Sequence, residues 1–272
     1  MSETILSVII PSYNSATYLE ECLKSVEREA QTGVEFILID GASTDDTMAI
    51  VERFRHLFSH VISEPDRGQS DAFNKGFTLA KGRFLTWLNS DDVLCSGVMA
   101  KVLPVLRKTT REWLVANSVY LDEAGNVTRC CRSGGFEHFA VKRGLLNVFG
   151  PSTFFSKKLF EELGGIDESF HFAMDTEYWW RIVASGRTYQ RINTYFWGLR
   201  LHSEAKTANV LLTGEYPAGM REEGQKIAKQ YFPKVTPAER TRAVKFVRLW
   251  RIINLSYIFS AWDTLRRRGK RL

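Results

Sequence analysis

The sequence predicts an α/β protein: a mainly parallel sheet flanked by helices, followed by a helical C-terminal appendage. Three observations carry this. Apolar runs of strand length at residues 5–10, 34–39 and 84–89 lack polar alternation and suit strands buried on both faces. Between them lie segments with apolar residues at helical spacing. The connections are short, so the β-α-β-α-β-α-β alternation calls for right-handed crossovers and a parallel sheet.

In chain order, residues 5–10 form a first strand ended by Pro11. A helix follows Ser12–Ser15, because Tyr18, Leu19, Cys22, Leu23 and Val26 share a helical face. The second strand, 34–39, stops at the turn pair Asp40-Gly41. Ser43, Thr44, Asp45 and Asp46 have the side chains of a helix start, and the helix they open carries Met48, Ile50, Val51, Phe54, Leu57 and Phe58. Residues 60–63 are a short third strand, and 69–81 a helix closed by Gly82. The fourth strand, 84–89, runs straight into Ser90, Asp91 and Asp92.

After a helix around 97–107 the rhythm changes. Residues 112–121 and 127–131 flank Glu123-Ala124-Gly125-Asn126, a hairpin signal. Residues 153–155 read as a strand, 157–163 and 174–184 as helices, 195–202 as a last strand, and the rest as helical. The expected organisation is a body over 1–215, with halves 1–107 and 108–215, and a basic helical region over 216–272.

Composition fits an ordinary globular protein large enough for a sizeable core: 272 residues, 44% apolar and 25% charged. No secretory signal is expected at the N-terminus, and no apolar run reaches the ~18 residues of a membrane span. Cys22, Cys95, Cys130 and Cys131 lack CxxC spacing, so a reduced cytosolic setting is expected. Charge is uneven. Residues 220–272 hold 14 Lys and Arg against 4 Asp and Glu, whereas the remainder holds 23 against 27. The tail therefore suits an anionic surface.

Asp91 and Asp92 are the first chemical signal. Two carboxylates at the end of a buried strand are costly unless paired or met by a cation. Open α/β sheets bind ligands just beyond such strand ends, and hard oxygen donors suit Mg²⁺ or Mn²⁺. Capping of the following helix would explain one of them as well. There is no Walker loop and no G-x-G-x-x-G after a strand, which disfavours P-loop enzymes and dinucleotide-dependent dehydrogenases.

Six segments stand together: SVIIPSYNSATYLEECLKSV, ILIDGASTDDT, EPDRGQSDAFNKG, FLTWLNSDD, GPSTFFSKKLFEELGGIDESFHFAMDTEYWWR and LRLHSEAKT. In this order, over residues 5–207, they resemble a family 2 glycosyltransferase of the GT-A fold, with its Rossmann-like nucleotide-binding half, of the kind that builds bacterial surface polysaccharides. The resemblance implies inverting transfer of a sugar from a nucleotide-sugar, UDP-linked by expectation, to an acceptor hydroxyl, assisted by Mn²⁺ or Mg²⁺. It places Pro11, Tyr13 and Asn14 at the base and ribose, and Asp40 at the uracil imide. Arg67, Asp71, Asn74 and Lys75 would line the ribose and diphosphate. Asn89 stands where relatives have a first Asp. Ser90 and Asp91 are assigned to the nucleotide-sugar, Asp91 also to the metal shell, and Asp92 to direct metal ligation. His202 would bind the metal or a phosphate, and Lys206 the diphosphate. Asp175 takes the place of the general base, with Glu177 and Asp167 as fallbacks. For Trp179, Trp180 and Trp197, core packing competes with sugar stacking.

Residues 246–262, mostly apolar and charged only at Arg248 and Arg251, precede Arg266-Arg267-Arg268 and Lys270-Arg271. This pattern fits an interfacial membrane anchor, and equally a helix docked on the catalytic body or on a second copy. A peripheral position on the inner face of the cell membrane would suit a lipid-linked saccharide acceptor. The competing readings are a nucleotidyltransferase and a non-catalytic module binding carbohydrate or nucleic acid. The first lacks its Gly-rich N-terminal signature, and the second does not need Asp40, Asp91, Asp92 and Asp175; no nucleic-acid partner is expected.

Overall fold

The first four strands lie parallel, and their order brings three carboxyl ends together. The structure, a computed structural model, describes residues 3–146, 148, 150–205, 210, 214–253 and 255–272. Strand β1 (Leu6–Ser12) lies between β2 (Val34–Asp40) and β4 (Phe84–Trp87), with β3 (Phe58–Ser63) beyond β2. Ser12 is opposite Asp40, and Ile9 is opposite Trp87. Helices α1 (Ala16–Glu29), α2 (Thr47–Arg53) and α3 (Gln69–Leu79) make the connections. Val8, Ile10, Phe36 and Leu38 pack in one apolar layer, and Ile9, Ile37 and Ile39 in the other. Burial on both faces is why these strands read as continuous apolar runs.

The second half of the sheet is mixed. Beyond β4 come β8 (Thr153–Ser156), β6 (Trp113–Leu121), β9 (Gln190–Arg200) and the two-residue β5 (Val93–Leu94), with β7 (Val127–Cys131) paired to β6. β8 is antiparallel to both β4 and β6, while β9 returns parallel to β6. Helices α4 (Met99–Lys108), α5 (His138–Val141), α6 (Lys157–Leu163) and α7 (Met174–Ala184) belong to this half. Three helices close the chain: α8 (Ala218–Tyr231), α9 (Pro237–Ile253) and α10 (Ser256–Arg267).

Some boundaries differ from expectation. The second helix ends at Arg53, and Phe58 opens β3 by pairing with Phe36. β4 stops at Trp87 because the chain turns there, with the Asp92 N–H bonded to the Asn89 carbonyl at 3.1 Å. β5 is too short to show a period. β9 starts five residues earlier than read and ends at Arg200, leaving His202 in the loop beyond. All four cysteines are buried free thiols.

Candidate active site

A cavity of about 1110 Å³ opens at the carboxyl ends of β1 and β4 and extends to the start of α7. Its first wall is the loop after β1: Pro11, Ser12, Tyr13, Asn14 and Ser15. Tyr13 is 63% exposed and lines the cavity, so its ring is available for stacking. Asn14 sits at φ 46°, in the left-handed region that Asn tolerates better than most residues. Its side-chain oxygen accepts from the Thr44 N–H at 2.9 Å, and its own N–H donates to Ser43 Oγ at 2.8 Å. The loops after β1 and β2 are thus stitched together.

Asp40 lies under this floor instead of in it. It is fully buried and accepts from the Ser43 N–H at 2.9 Å, from the Ser43 hydroxyl and from the Ser63 hydroxyl at 2.7 Å. Gly41, not Asp40, reaches the cavity. In this structure Asp40 is a strut holding the β2 loop, and the base contact expected of it is not among its contacts. Ser43 is likewise part of that strut, and the helix begins later, at Thr47.

Arg67, Asp71, Asn74 and Lys75, expected along the ribose and diphosphate, make other contacts in this structure. Asp71 is buried and paired with Arg67 at 3.0 Å and Lys75 at 3.5 Å. Arg67 also pairs with Glu168 at 2.7 Å, and Lys75 with Glu64 at 2.8 Å. Asn74 clamps the Ile166 N–H and carbonyl at 2.8 and 2.9 Å. These four tie α3 to neighbouring loops and do not line the cavity. From the same stretch, Asp66, Gly68 and Gln69 do. They precede or open the helix.

The loop after β4 separates its two carboxylates. Ser90 and Asp91 face the cavity, with Ser90 Oγ 2.8 Å from Ser15 Oγ. Asp91 Oδ2 is 3.1 Å from Nε2 of His202, whose ring packs 4.6 Å from that of Tyr18. Asp92 points the other way and is fully buried. Its Oδ1 accepts from the Arg200 N–H at 2.9 Å, and its Oδ2 from Trp197 Nε1 at 2.8 Å and Asn89 Nδ2 at 2.9 Å. Burial, with the Asp91 charge beside it, pushes the Asp92 carboxyl well above its ordinary range. Both oxygens of Asp92, the residue expected to ligate the metal directly, are thus engaged by the protein, and Asp91 is the carboxylate that lines the cavity. Asp92→Asn is expected to leave part of this set unmatched and to cost about 1–3 kcal/mol of stability. Thermal denaturation with and without UDP and Mn²⁺ checks this. Unchanged stability with lost metal dependence would return Asp92 to the metal.

Arg200, not singled out in the sequence, is the main support of this loop. It is 1% exposed. Its guanidinium donates to the Asp91 carbonyl at 3.0 Å and the Glu123 carbonyl at 2.8 Å, and pairs with Glu21 at 2.7 Å. Its signal was its place in LRLHS, two residues before His202.

On the opposite side, α7 starts with Asp175 on the cavity wall. Its Oδ1 accepts from the Thr176 N–H at 2.6 Å and the Thr176 hydroxyl at 3.1 Å. Its Oδ2 faces Gly150, where an added Cβ would lie 3.7 Å away. Burial raises the Asp175 carboxyl above its ordinary range, against the hydrogen bonds from Thr176. Glu177 turns inward, paired with Arg181 at 2.5 Å and accepting from the Tyr231 hydroxyl at 2.7 Å. Asp167 accepts from the Ser169 N–H at 2.8 Å, away from the cavity. Neither fallback carboxylate reaches the site. Trp180 and Trp197 contribute to the wall, whereas Trp179 stacks in the core between Trp87 at 5.6 Å and Trp113 at 5.9 Å. Lys206 lies outside the described residues.

Residues 7–164, more than half of the chain, match the description "Glycosyl transferase family 2". A PGL/p-HBAD biosynthesis glycosyltransferase of Mycobacterium tuberculosis is 31% identical over 166 residues, covering 56% of this chain and 64% of that protein. The chain thus spans a little under two thirds of the length of this curated relative. Among solved structures, Staphylococcus aureus TarS 1–349 in complex with UDP-GlcNAc superposes with a TM-score of 0.58 at 16% identity, covering 88% of this chain and 79% of that one. The mannosyltransferase PcManGT from Pyrobaculum calidifontis, in complex with GDP-Man and Mn²⁺, gives 0.57 at 17% identity, covering 97% and 84%. These likenesses fix the fold as GT-A. With the family match over the nucleotide-side strands, the chain belongs to glycosyl transferase family 2.

Proposed function

We propose that this chain transfers a sugar from a nucleotide-sugar, UDP-linked in the first instance, to an acceptor hydroxyl with inversion by direct displacement. The observation that carries the reading is one cavity with Asp91 and Asp175 among its lining carboxylates, on separate elements. Asp91 stands on the loop after β4, with His202 beside it, and Asp175 stands at the head of α7. A displacement needs a donor side and an acceptor side, and this arrangement supplies both.

A divalent cation fits the donor side. Among the described residues no cluster of three or more His, Cys, Asp or Glu would cage an ion. Asp91 and His202 offer an oxygen and a nitrogen on the cavity wall. That is the partial set expected for Mn²⁺ or Mg²⁺, which bind through one or two protein groups plus substrate phosphates. When bound, the ion would offset the charge developing on the departing diphosphate. Tyr13 offers a face to the base, and Asn14 and Ser90 shape the ribose end. Asp175 Oδ2 takes the proton from the acceptor hydroxyl as it attacks, while Thr176 holds Oδ1 and fixes the carboxylate's orientation. The carboxyl's upward shift makes it a better base once ionised.

The complexes of TarS with UDP-GlcNAc and of PcManGT with GDP-Man support a nucleotide-sugar donor, and the Mn²⁺ of the latter supports a divalent ion. We assign the acceptor to a saccharide, free or lipid-linked, in cytoplasmic-face assembly of cell-surface polysaccharide. Incubation with a panel of UDP- and GDP-sugars and Mn²⁺, read by mass spectrometry, tests the donor class. Release of the free nucleoside diphosphate from one sugar supports it. Cleavage to a nucleoside monophosphate would place the chemistry elsewhere.

A further inference from the structure

Helix α10 is built inside out. Surface helices ordinarily turn an apolar stripe to the core and polar residues to water. Here Ser256, Ser260, Asp263 and Thr264 share the face turned to the protein. Thr264 Oγ1 accepts from the Cys130 N–H at 2.9 Å, and Asp263 Oδ2 accepts from Arg132 Nη2 and the Tyr195 hydroxyl, each at 2.6 Å. The opposite face is apolar: Tyr257, Ile258, Phe259, Trp262 and Leu265 are 41–70% exposed. Helix α9 also exposes apolar side chains: Phe246, Leu249, Trp250, Ile252 and Ile253 are 45–62% exposed. Large apolar side chains exposed in this number on adjoining helices mark a contact site.

The charge around it selects the occupant. Residues 240–272 contain ten Lys and Arg and one acidic residue, Asp263, whose carboxylate is committed inward. Arg248, Arg266, Arg268, Lys270 and Arg271, on or next to these two helices in sequence, are exposed. A symmetric pairing of two copies would set these cations against each other. Anionic lipid headgroups would meet them, with the aromatic and aliphatic tips below in the acyl boundary. Among the described residues no helix is long and apolar enough to cross a membrane. We infer that the outward face of α9 and α10 is a docking surface for an anionic lipid bilayer, on which the protein lies without spanning it. The sequence left membrane contact and docking on the body or on a second copy as alternatives; the inward face of α10 docks on the body, and the outward face is the one assigned to lipid. Arg240, near the start of α9, also lines the cavity, so a docked bilayer would lie close to the site. That last step rests on the sugar-transfer reading, whereas the docking surface does not.

Flotation of the full chain with vesicles of three parts phosphatidylcholine to one part phosphatidylglycerol, without substrates, tests this. Binding is expected to be strong, weakened by salt and low on pure phosphatidylcholine. The exposed double substitution Ile258→Glu/Trp262→Glu should reduce it about tenfold or more. Arg266→Glu/Arg268→Glu, which keeps the apolar side chains, should also reduce it. UDP binding, unchanged in both variants, reports an intact body and separates failure here from failure of the nucleotide site. Equal binding by wild type and both variants would overturn the inference, as would absent binding with a dimer mass in light scattering.

Discussion

Asp175→Asn is expected to lower turnover by roughly 10²–10⁴-fold while UDP and metal binding survive. The substitution keeps the shape and the Thr176 contacts available to Oδ1 but leaves no group able to accept the acceptor proton. A stability readout sharpens the test. The Asp175 carboxyl is raised by burial, so its ionised form is less favourable in the folded chain than in the unfolded one. Its contribution to stability therefore worsens as pH rises above the ordinary carboxylate range. Asn carries no such penalty, so thermal stability near neutral pH should hold or rise as activity collapses. The wild-type rate should fall as pH drops through the raised Asp175 pKa. Glu177→Gln should show the reverse pattern, with stability lost from the Arg181 and Tyr231 contacts and chemistry reduced only indirectly. Near-wild-type turnover by Asp175→Asn would place the base on another group.

Asp91→Asn is expected to abolish the advantage that Mn²⁺ gives to UDP binding. In the wild type, UDP should stabilise the chain more in Mn²⁺ than in EDTA, because phosphate oxygens and Asp91 share the ion. His202→Ala should weaken the same dependence and leave the residual UDP binding in EDTA in place. Thermal shift across a UDP titration reads both. A metal effect that persists in Asp91→Asn would remove Asp91 from the ion.

The parallel half of the fold was legible because its strands are buried on both faces, and their apolar runs admit few other readings. The site was legible as a set of loops more than as a set of atoms. Asp91 and Asp92 are neighbours in sequence, and only Trp197 and Arg200, arriving from β9, decide that Asp92 faces inward. Asp175 and Glu177 are two positions apart on a helix, about 200° around its axis, so one can meet the cavity and the other the core. On α3 the i, i+4 charges mark a shared face, and it packs on neighbouring loops instead of the cavity. For α10, amphipathicity was readable, but the direction of each face depends on β7 and Tyr195.

Anomalous scattering from crystals grown with UDP and Mn²⁺ tests the central claim most directly. The expected result is one manganese peak in the cavity, within coordination distance of Asp91 and the diphosphate, with the uracil beside Tyr13. The terminal phosphate should then face the side of the cavity that holds Asp175. Manganese at Asp92, or UDP bound with its diphosphate away from Asp91, would contradict it.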